Sequence, residues 1–182
     1  TFDIRKLFNK KMKKTFLLHE PKFNYAELKY LSRSIRSGWI SPSGEYVKKF
    51  ENKLSLFTKS KCILANSGTS ALHLSLILSD VKKNDEVLVP SITFIATINS
   101  VMYMAATPVF LDCGSETLNV DLNKVLNFLD NQTFTNSKGT FNKKSKNKIS
   151  AIIITHVFGN LINLNYFYNI CKKKKIKVIE DA

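Results

Sequence analysis

The apolar positions of this chain change rhythm along its length. Over residues 25–37 and 46–58 they recur every three to four positions, with Phe50, Leu54 and Phe57 on one buried face, so two amphipathic helices are predicted. The stretch from Gly38 to Gly44 (GWISPSG) breaks that rhythm with glycine, proline and serine. From residue 62 onward, short runs that are apolar throughout alternate with helical patterns. Strands are predicted over 62–65, 86–89, 108–111, 151–155 and 177–179, and helices over 69–78, 94–104, 121–129 and 161–171. The helix at 121–129 carries Leu122, Val125, Leu126 and Leu129 on one stripe. Residues 131–148, rich in Asn, Ser, Thr, Lys and Gly, are predicted to form a surface excursion.

Strands that are apolar on both sides need cover on both sides, and helices between them supply it. The expected fold class is α/β, a mainly parallel sheet flanked by helices. No internal repeat is evident. The sequence stops at Ala182, directly after a predicted strand that lacks its covering helix, so truncation at that end is expected.

Composition narrows the picture in three places. With 44% hydrophobic residues among 182, a real core is expected, and no apolar run approaches the roughly 20 residues that cross a bilayer. Residues 1–17 form a basic segment with no long apolar stretch behind it. They do not read as a secretory signal, so a cytoplasmic protein without membrane association is expected. Cys62, Cys113 and Cys171 are scattered and make no CxxC pair, and His19, His73 and His156 are equally dispersed. Neither a disulfide framework nor a metal site is expected.

The formal net charge of +14 raises the question of a polyanion partner. The lysines fall on outer helix faces (Lys48, Lys49, Lys53) and in two runs, Lys143 to Lys148 and Lys172 to Lys175. No nucleic-acid-binding motif accompanies them, so they read as solvated surface and no nucleic-acid partner is expected.

Ligands of parallel α/β sheets bind beyond the carboxyl ends of the strands. Four segments stand there: Asn66 to Ser70, Pro90 to Phe94, His156 to Gly159, and Glu180-Asp181, and they should converge on one rim. The first leads straight into a helix. Free N–H groups with the Thr69 and Ser70 hydroxyls would suit a phosphate, although a simple serine or threonine cap fits as well. Neither GxGxxG nor GxxxxGK[ST] is present. Asp181 follows a buried strand, where an acid needs a partner: a cationic ring, an arginine or a helix N-terminus. Phe94 would cover a flat ring or belong to the core, and His156 would bond a ligand or the backbone.

Taken in order, LHEPKF (18–23), SGWISPSGEYVKKFE (37–51), NSGTSALHLSL (66–76), DEVLVPSITFIATINSV (85–101), ATPVFLD (106–112), HVFGN (156–160) and VIEDA (178–182) resemble the DegT/DnrJ/StrS-type sugar aminotransferases. The resemblance covers residues 18–182. LHEP and the long polar insertion before Ile149 resemble the branch associated with legionaminic acid and bacillosamine-type sugars. It implies the N-terminal part of the large domain of a type I fold dependent on pyridoxal 5'-phosphate, with a homodimer as the assembly. It further implies that Gly68, Thr69 and Ser70 hold the cofactor phosphate, that Phe94 stacks on its ring and that Asp181 pairs with its pyridinium nitrogen. Trp39, Ser41 and His156 become candidate contacts to a nucleotide-linked sugar. The family's Schiff-base lysine lies downstream of Ala182, so no lysine here takes that role.

The implied reaction is transfer of an amino group from glutamate to a nucleotide-linked 4-keto-6-deoxy sugar, in surface-polysaccharide biosynthesis. The rivals are a 3-keto aminotransferase or a sugar dehydratase on the same scaffold, and a non-catalytic basic binding protein, which would bind nucleic acid in a salt-sensitive way.

Overall fold

A computed structural model of the chain describes residues 22–182. The basic segment 1–17 and the start of the LHEPKF motif lie outside the described residues. The chain divides into two compact units, one ending at Ile63 and the other spanning Leu64–Ala182.

The first unit holds α1 (Tyr25–Arg36) and α2 (Glu45–Thr58). Asn24 starts α1 with a reciprocal cap: its side chain accepts from the Ala26 N–H at 2.7 Å, and Glu27 accepts from the Asn24 N–H at 2.7 Å. Tyr30 and Tyr46 meet edge to face, with ring centres 5.3 Å apart. The predicted buried face is not buried: no residue of either helix is, and Phe57 is 86% exposed. Two short helices alone have too little mass to cover their own apolar stripes.

The expected strand at 62–65 is also absent, and these residues pair with no other strand. Periodicity identifies a short apolar run, but a strand exists only where an edge is offered to it. Cys62 is tied locally instead, its N–H donating to Ser55 Oγ at 3.0 Å.

The second unit comprises α3 (Gly68–Leu78), β1 (Glu86–Pro90), α4 (Ile95–Tyr103), β2 (Thr107–Leu111), α5 (Leu122–Asn131), β3 (Thr133–Asn136), β4 (Gly139–Asn142), β5 (Lys148–Thr155), α6 (Asn165–Lys173) and β6 (Lys177–Asp181). They build one sheet. β1, β2, β5 and β6 run parallel, with β1 between β2 and β5. β4 and β6 share the edge of β5 opposite β1: β4 pairs with Lys148 and Ile149, and β6 pairs with Ala151 to Thr155.

Residues 131–148 do more than skirt the surface. α5 runs on to Asn131, and the β3–β4 hairpin joins the sheet antiparallel. Thr135 and Thr140 hydroxyls meet at 2.8 Å, Phe134 stacks on Phe141, and Gly139 takes a φ of 141° at the turn. Lysines from both basic runs fasten the insertion. Lys174 reaches the Leu129 carbonyl at 3.0 Å, Lys175 the Ser137 carbonyl at 2.7 Å and Lys143 the Asn131 carbonyl at 2.8 Å. Part of the positive charge therefore closes backbone carbonyls rather than facing solvent alone.

Strand alternation divides the core in two. Val87, Val89, Ala151, Ile153 and Ile179 pack with Leu72, Leu76, Ala96 and Val101 under α3 and α4. Leu88, Ile152, Ile154 and the half-buried Val178 pack with Leu164, Phe167 and Cys171 under α6. Ile149 breaks the count by joining the α6 side. A bulge explains it: Glu86 pairs with Ile149 but Val87 with Ala151, which leaves Ser150 as the extra residue. Its buried hydroxyl has no hydrogen-bond partner among the described residues.

Ile153 is fully buried between sheet and helices. Ile153→Ala is expected to lower unfolding stability by about 2–5 kcal/mol, read as a shift of the urea midpoint at unchanged slope.

Candidate functional site

The parallel strands finish at Pro90, Leu111, Thr155 and Asp181, which defines one rim of the sheet. α4 starts at this rim, with four residues between it and Pro90, because Ser91 to Phe94 turn the chain over the end of β1. α3 packs on α4 and touches β6, and its last turn leads through residues 79–85 to the first residue of β1. A helix that enters the base of a parallel strand this directly runs against it. The N-terminus of α3 therefore points to the rim, roughly 16 Å from its other end.

At that N-terminus Ser67 is the cap. Its hydroxyl accepts from the Ser70 N–H at 3.2 Å and donates to Ser70 Oγ at 3.1 Å. The Ala71 N–H is taken by the Ser67 carbonyl. The N–H groups of Gly68 and Thr69 have no acceptor among the described residues, and they carry the positive end of the helix dipole. Nothing lies within 4 Å of the position a Cβ on Gly68 would take, so the approach to these groups is open. The cap is Ser67, one residue ahead of the Gly68-Thr69-Ser70 stretch, so capping leaves the Gly68 and Thr69 N–H groups open.

Asp181 ends β6 opposite Thr155, within the parallel ladder. The strand runs two residues beyond its predicted end, and that extension decides where the two terminal acids point. Asp181 shares the face of Ile179 and Ile153, toward α4. There Thr97, fully buried, donates from Oγ1 to Asp181 Oδ2 at 3.3 Å. Thr97 Oγ1 lies 2.8 Å from Thr93 Oγ1, which lies 3.0 Å from Thr155 Oγ1. The other Asp181 oxygen has no partner among the described residues. Phe94, the residue that starts α4, is 76% exposed at the same rim.

Glu180 faces the other way, toward α6. It accepts from the Tyr168 hydroxyl and from His156 Nε2 at 2.8 Å. The Ile162 N–H donates to His156 Nδ1 at 3.2 Å, so the ring proton sits on Nε2 and His156 is the neutral tautomer. His156 is buried with both ring nitrogens committed. Its Nε2 bond fixes the Glu180 carboxylate. Its N–H also donates to the Asp181 carbonyl at 2.9 Å, closing the rim.

Asn119 went unnoticed in the sequence. Buried in the loop before α5, it accepts from the Val157 N–H and donates to the Asn160 carbonyl, both at 2.9 Å. It clamps a segment in which Phe158 adopts a φ of 53° and stands 85% exposed. Thr97, Thr155 and Tyr168 were missed as well, and Thr93 was covered only as part of Pro90 to Phe94. Thr155 directly precedes His156 and Thr97 lies three residues beyond Phe94, and only that closeness could have flagged them.

Trp39 and Ser41 belong to the first unit. Trp39 is 64% exposed, and Ser41 shapes its own turn by accepting from the Ser43 N–H through its hydroxyl and from Gly44 through its carbonyl. Grooves also run beside α6, between Tyr168 and Lys175, and along α1 and α2. Neither is lined by Thr69, Ser70, Phe94 or Asp181, so the rim is an open shelf within the described residues. No cluster of His, Cys, Asp or Glu suited to a metal, and no helix long and apolar enough to span a membrane, occurs among the described residues.

One rim of a mainly parallel α/β sheet thus gathers a helix start with two open N–H groups, an exposed aromatic ring and a half-partnered carboxylate. Residues 21–182 match the DegT/DnrJ/EryC1/StrS aminotransferase family, and the chain belongs to it. A GDP-perosamine synthase of Escherichia coli O157:H7 is 32% identical over 166 residues, covering 91% of this chain and 41% of that protein. A dTDP-3-amino-3,6-dideoxy-alpha-D-galactopyranose transaminase of Aneurinibacillus thermoaerophilus is 32% identical over 84% of this chain and 38% of its own length. The crystal structure of a Bacillus subtilis protein, ntda with bound cofactor pmp, superposes with a TM-score of 0.70 at 27% identity, over 85% of this chain and 32% of that one. The chain thus spans about two fifths of the curated relatives it matches. Aminotransferases of this family depend on pyridoxal phosphate.

The Tyr168 hydroxyl chiefly holds the Glu180 carboxyl below its ordinary range, burial opposes this, and His156 reinforces it. The same hydrogen bond, with burial, pushes the Tyr168 phenol up to about 12. The stabilisation linked to Tyr168 is complete below about pH 10 and lost as pH rises through about 12. That linked to Glu180 is present above the ordinary carboxylate pKa and lost as pH falls through the depressed one. In a phenolate absorbance titration, Tyr168→Phe is expected to delete the step near pH 12.

Proposed function

We propose that this chain forms the cofactor-holding part of a pyridoxal 5'-phosphate-dependent aminotransferase, acting in a protein of the relatives' length. The substrate in this reading is a nucleotide-linked 4-keto-6-deoxy sugar, glutamate is the amino donor, and the assembly is a cytoplasmic homodimer. The legionaminic-acid and bacillosamine-type branch is the preferred one, on the LHEP opening and the insertion before Ile149. One observation carries the reading above the others. A carboxylate with a single oxygen engaged stands on the same rim as two free N–H groups at a helix start.

The residues fit the cofactor. Gly68 and Thr69 offer N–H groups, Thr69 and Ser70 offer hydroxyls, and together they would neutralise a phosphate. Phe94 would cover one face of the ring. The free oxygen of Asp181 would keep the ring nitrogen protonated, because an adjacent negative charge favours the cation. When bound, the cofactor supplies an electron sink for the bond broken at the amine-bearing carbon. His156 serves in this reading as a positioning group for Glu180. Trp39 and Ser41 remain proposed sugar-nucleotide contacts on their resemblance to the family's loop. A second reading, transamination at the 3-keto position, draws support from the relative named as a 3-amino-sugar transaminase.

Pyridoxamine 5'-phosphate needs no lysine to bind, so its affinity can be measured on this chain by fluorescence. Thr69→Ala/Ser70→Ala is expected to raise its Kd by roughly a hundredfold or more, since lost bonds to a charged group cost about 1.5–3 kcal/mol each and about 1.4 kcal/mol is tenfold. Unchanged affinity would remove the phosphate site. Gly68→Ala is expected to leave folding stability within about 0.5 kcal/mol while weakening binding, because only a ligand would meet the added methyl. The amine transfer itself is tested by following glutamate consumption with candidate keto-sugar nucleotides in the longer protein.

A further inference from the structure

The hydroxyls beside Asp181 form an ordered series. Each threonine hydroxyl has one proton to give. Thr97 gives its proton to Asp181 Oδ2, so at 2.8 Å it must accept from Thr93. Thr93 has then spent its proton and at 3.0 Å must accept from Thr155. The direction is forced: Thr155 to Thr93 to Thr97 to the carboxylate. All three donors aim at one negative charge, and hydrogen bonds in series polarise one another.

The relay links three pieces of the rim. Thr155 ends β5, Thr93 lies in the turn after β1, and Thr97 sits in the first turn of α4 at zero exposure. Asp181 could otherwise turn its half-exposed carboxylate between rotamers. A buried donor on Oδ2 fixes one oxygen and leaves the other facing outward.

We propose that Thr97 is a positioning residue for the cofactor ring, holding the Asp181 carboxylate in orientation through a threonine relay that begins at Thr155. This rests on the assignment of Asp181 as the partner of the ring nitrogen. Thr97 itself touches the carboxylate and not the cofactor.

The test uses pyridoxamine 5'-phosphate labelled with nitrogen-15 in the ring, bound to the chain at saturation. The ring-nitrogen resonance reports its protonation, and a parallel titration gives Kd. With the native residues the resonance is expected at the protonated position, and Asp181→Asn is expected to move it toward the unprotonated one. Thr97→Val, equal in size but without a hydroxyl, is expected to move it the same way and to raise Kd about tenfold. Thr97→Ser, which keeps the donor, is expected to restore both. Should circular dichroism show Thr97→Val unfolded, Thr93→Val breaks the relay one link earlier and is expected to shift the resonance in the same direction by less. If Asp181→Asn shifts the resonance while the folded valine variant leaves it and Kd at native values, the role of Thr97 is overturned. If Asp181→Asn leaves the resonance in place, the cofactor assignment fails first.

Discussion

β6 carries two carboxylates side by side, and strand alternation sends them to opposite faces of the sheet. Glu180 turns to α6 and Asp181 to α4. What selects this arrangement is the apolar pair before them, with Ile179 in the core under α3 and α4 and Val178 under α6. A slip of one residue in the β5–β6 register would exchange both pairs, setting Asp181 against Tyr168 and Glu180 against Thr97. The buried branched side chains thus fix which acid stands at the rim, and the position of every polar group there depends on that register.

The two acids differ in how completely they are partnered. Glu180 receives a phenol proton and an imidazole proton, and its neighbours are themselves satisfied, His156 by the Ile162 N–H and Tyr168 by Glu180. A closed network of this kind rigidifies. Asp181 receives one hydroxyl proton, and its other oxygen has no partner among the described residues. The start of α3 repeats the contrast: Ser67 and its carbonyl satisfy Ser70 and Ala71, while the donors of Gly68 and Thr69 stay open. Open groups of opposite sign at one rim are what the proposed cofactor, anionic at one end and cationic at the other, would require.

The α/β order was legible because central strands of a parallel sheet are apolar throughout and helices separate them. Three of the four rim segments were legible for a related reason, since small and polar residues directly after such strands have no packing role; Asn66 to Ser70 instead begins a helix without the strand expected before it. Three things were not. The β3–β4 hairpin was hidden because its pairing rests on Thr, Asn and Phe in a lysine-rich stretch, and polar composition masks strand alternation. The absent strand at 62–65 shows the converse, an apolar run with no edge to join. Thr97 was invisible because a threonine one turn into an apolar helix looks the same whether its hydroxyl faces a carboxylate or its own backbone. Only the folded register, Thr155 against Asp181, brings the acid to it.

One departure from local preference stands at the same rim. Phe158 is a bulky residue in the left-handed region, where side chain and backbone crowd each other, and it is exposed besides. Such a conformation, costing on the order of 1–3 kcal/mol, persists only where its surroundings impose it. Asn119 does so from both sides, holding the Val157 N–H and the Asn160 carbonyl, and Gly159 completes the reversal with a φ of 80°. A buried asparagine spending its amide on a strained loop, next to a histidine spending both nitrogens on Glu180, gains nothing for the core on either side of the sheet. These groups keep the end of β5 in one shape, and the rim bearing Asp181 inherits that rigidity through the His156 N–H bond to its carbonyl.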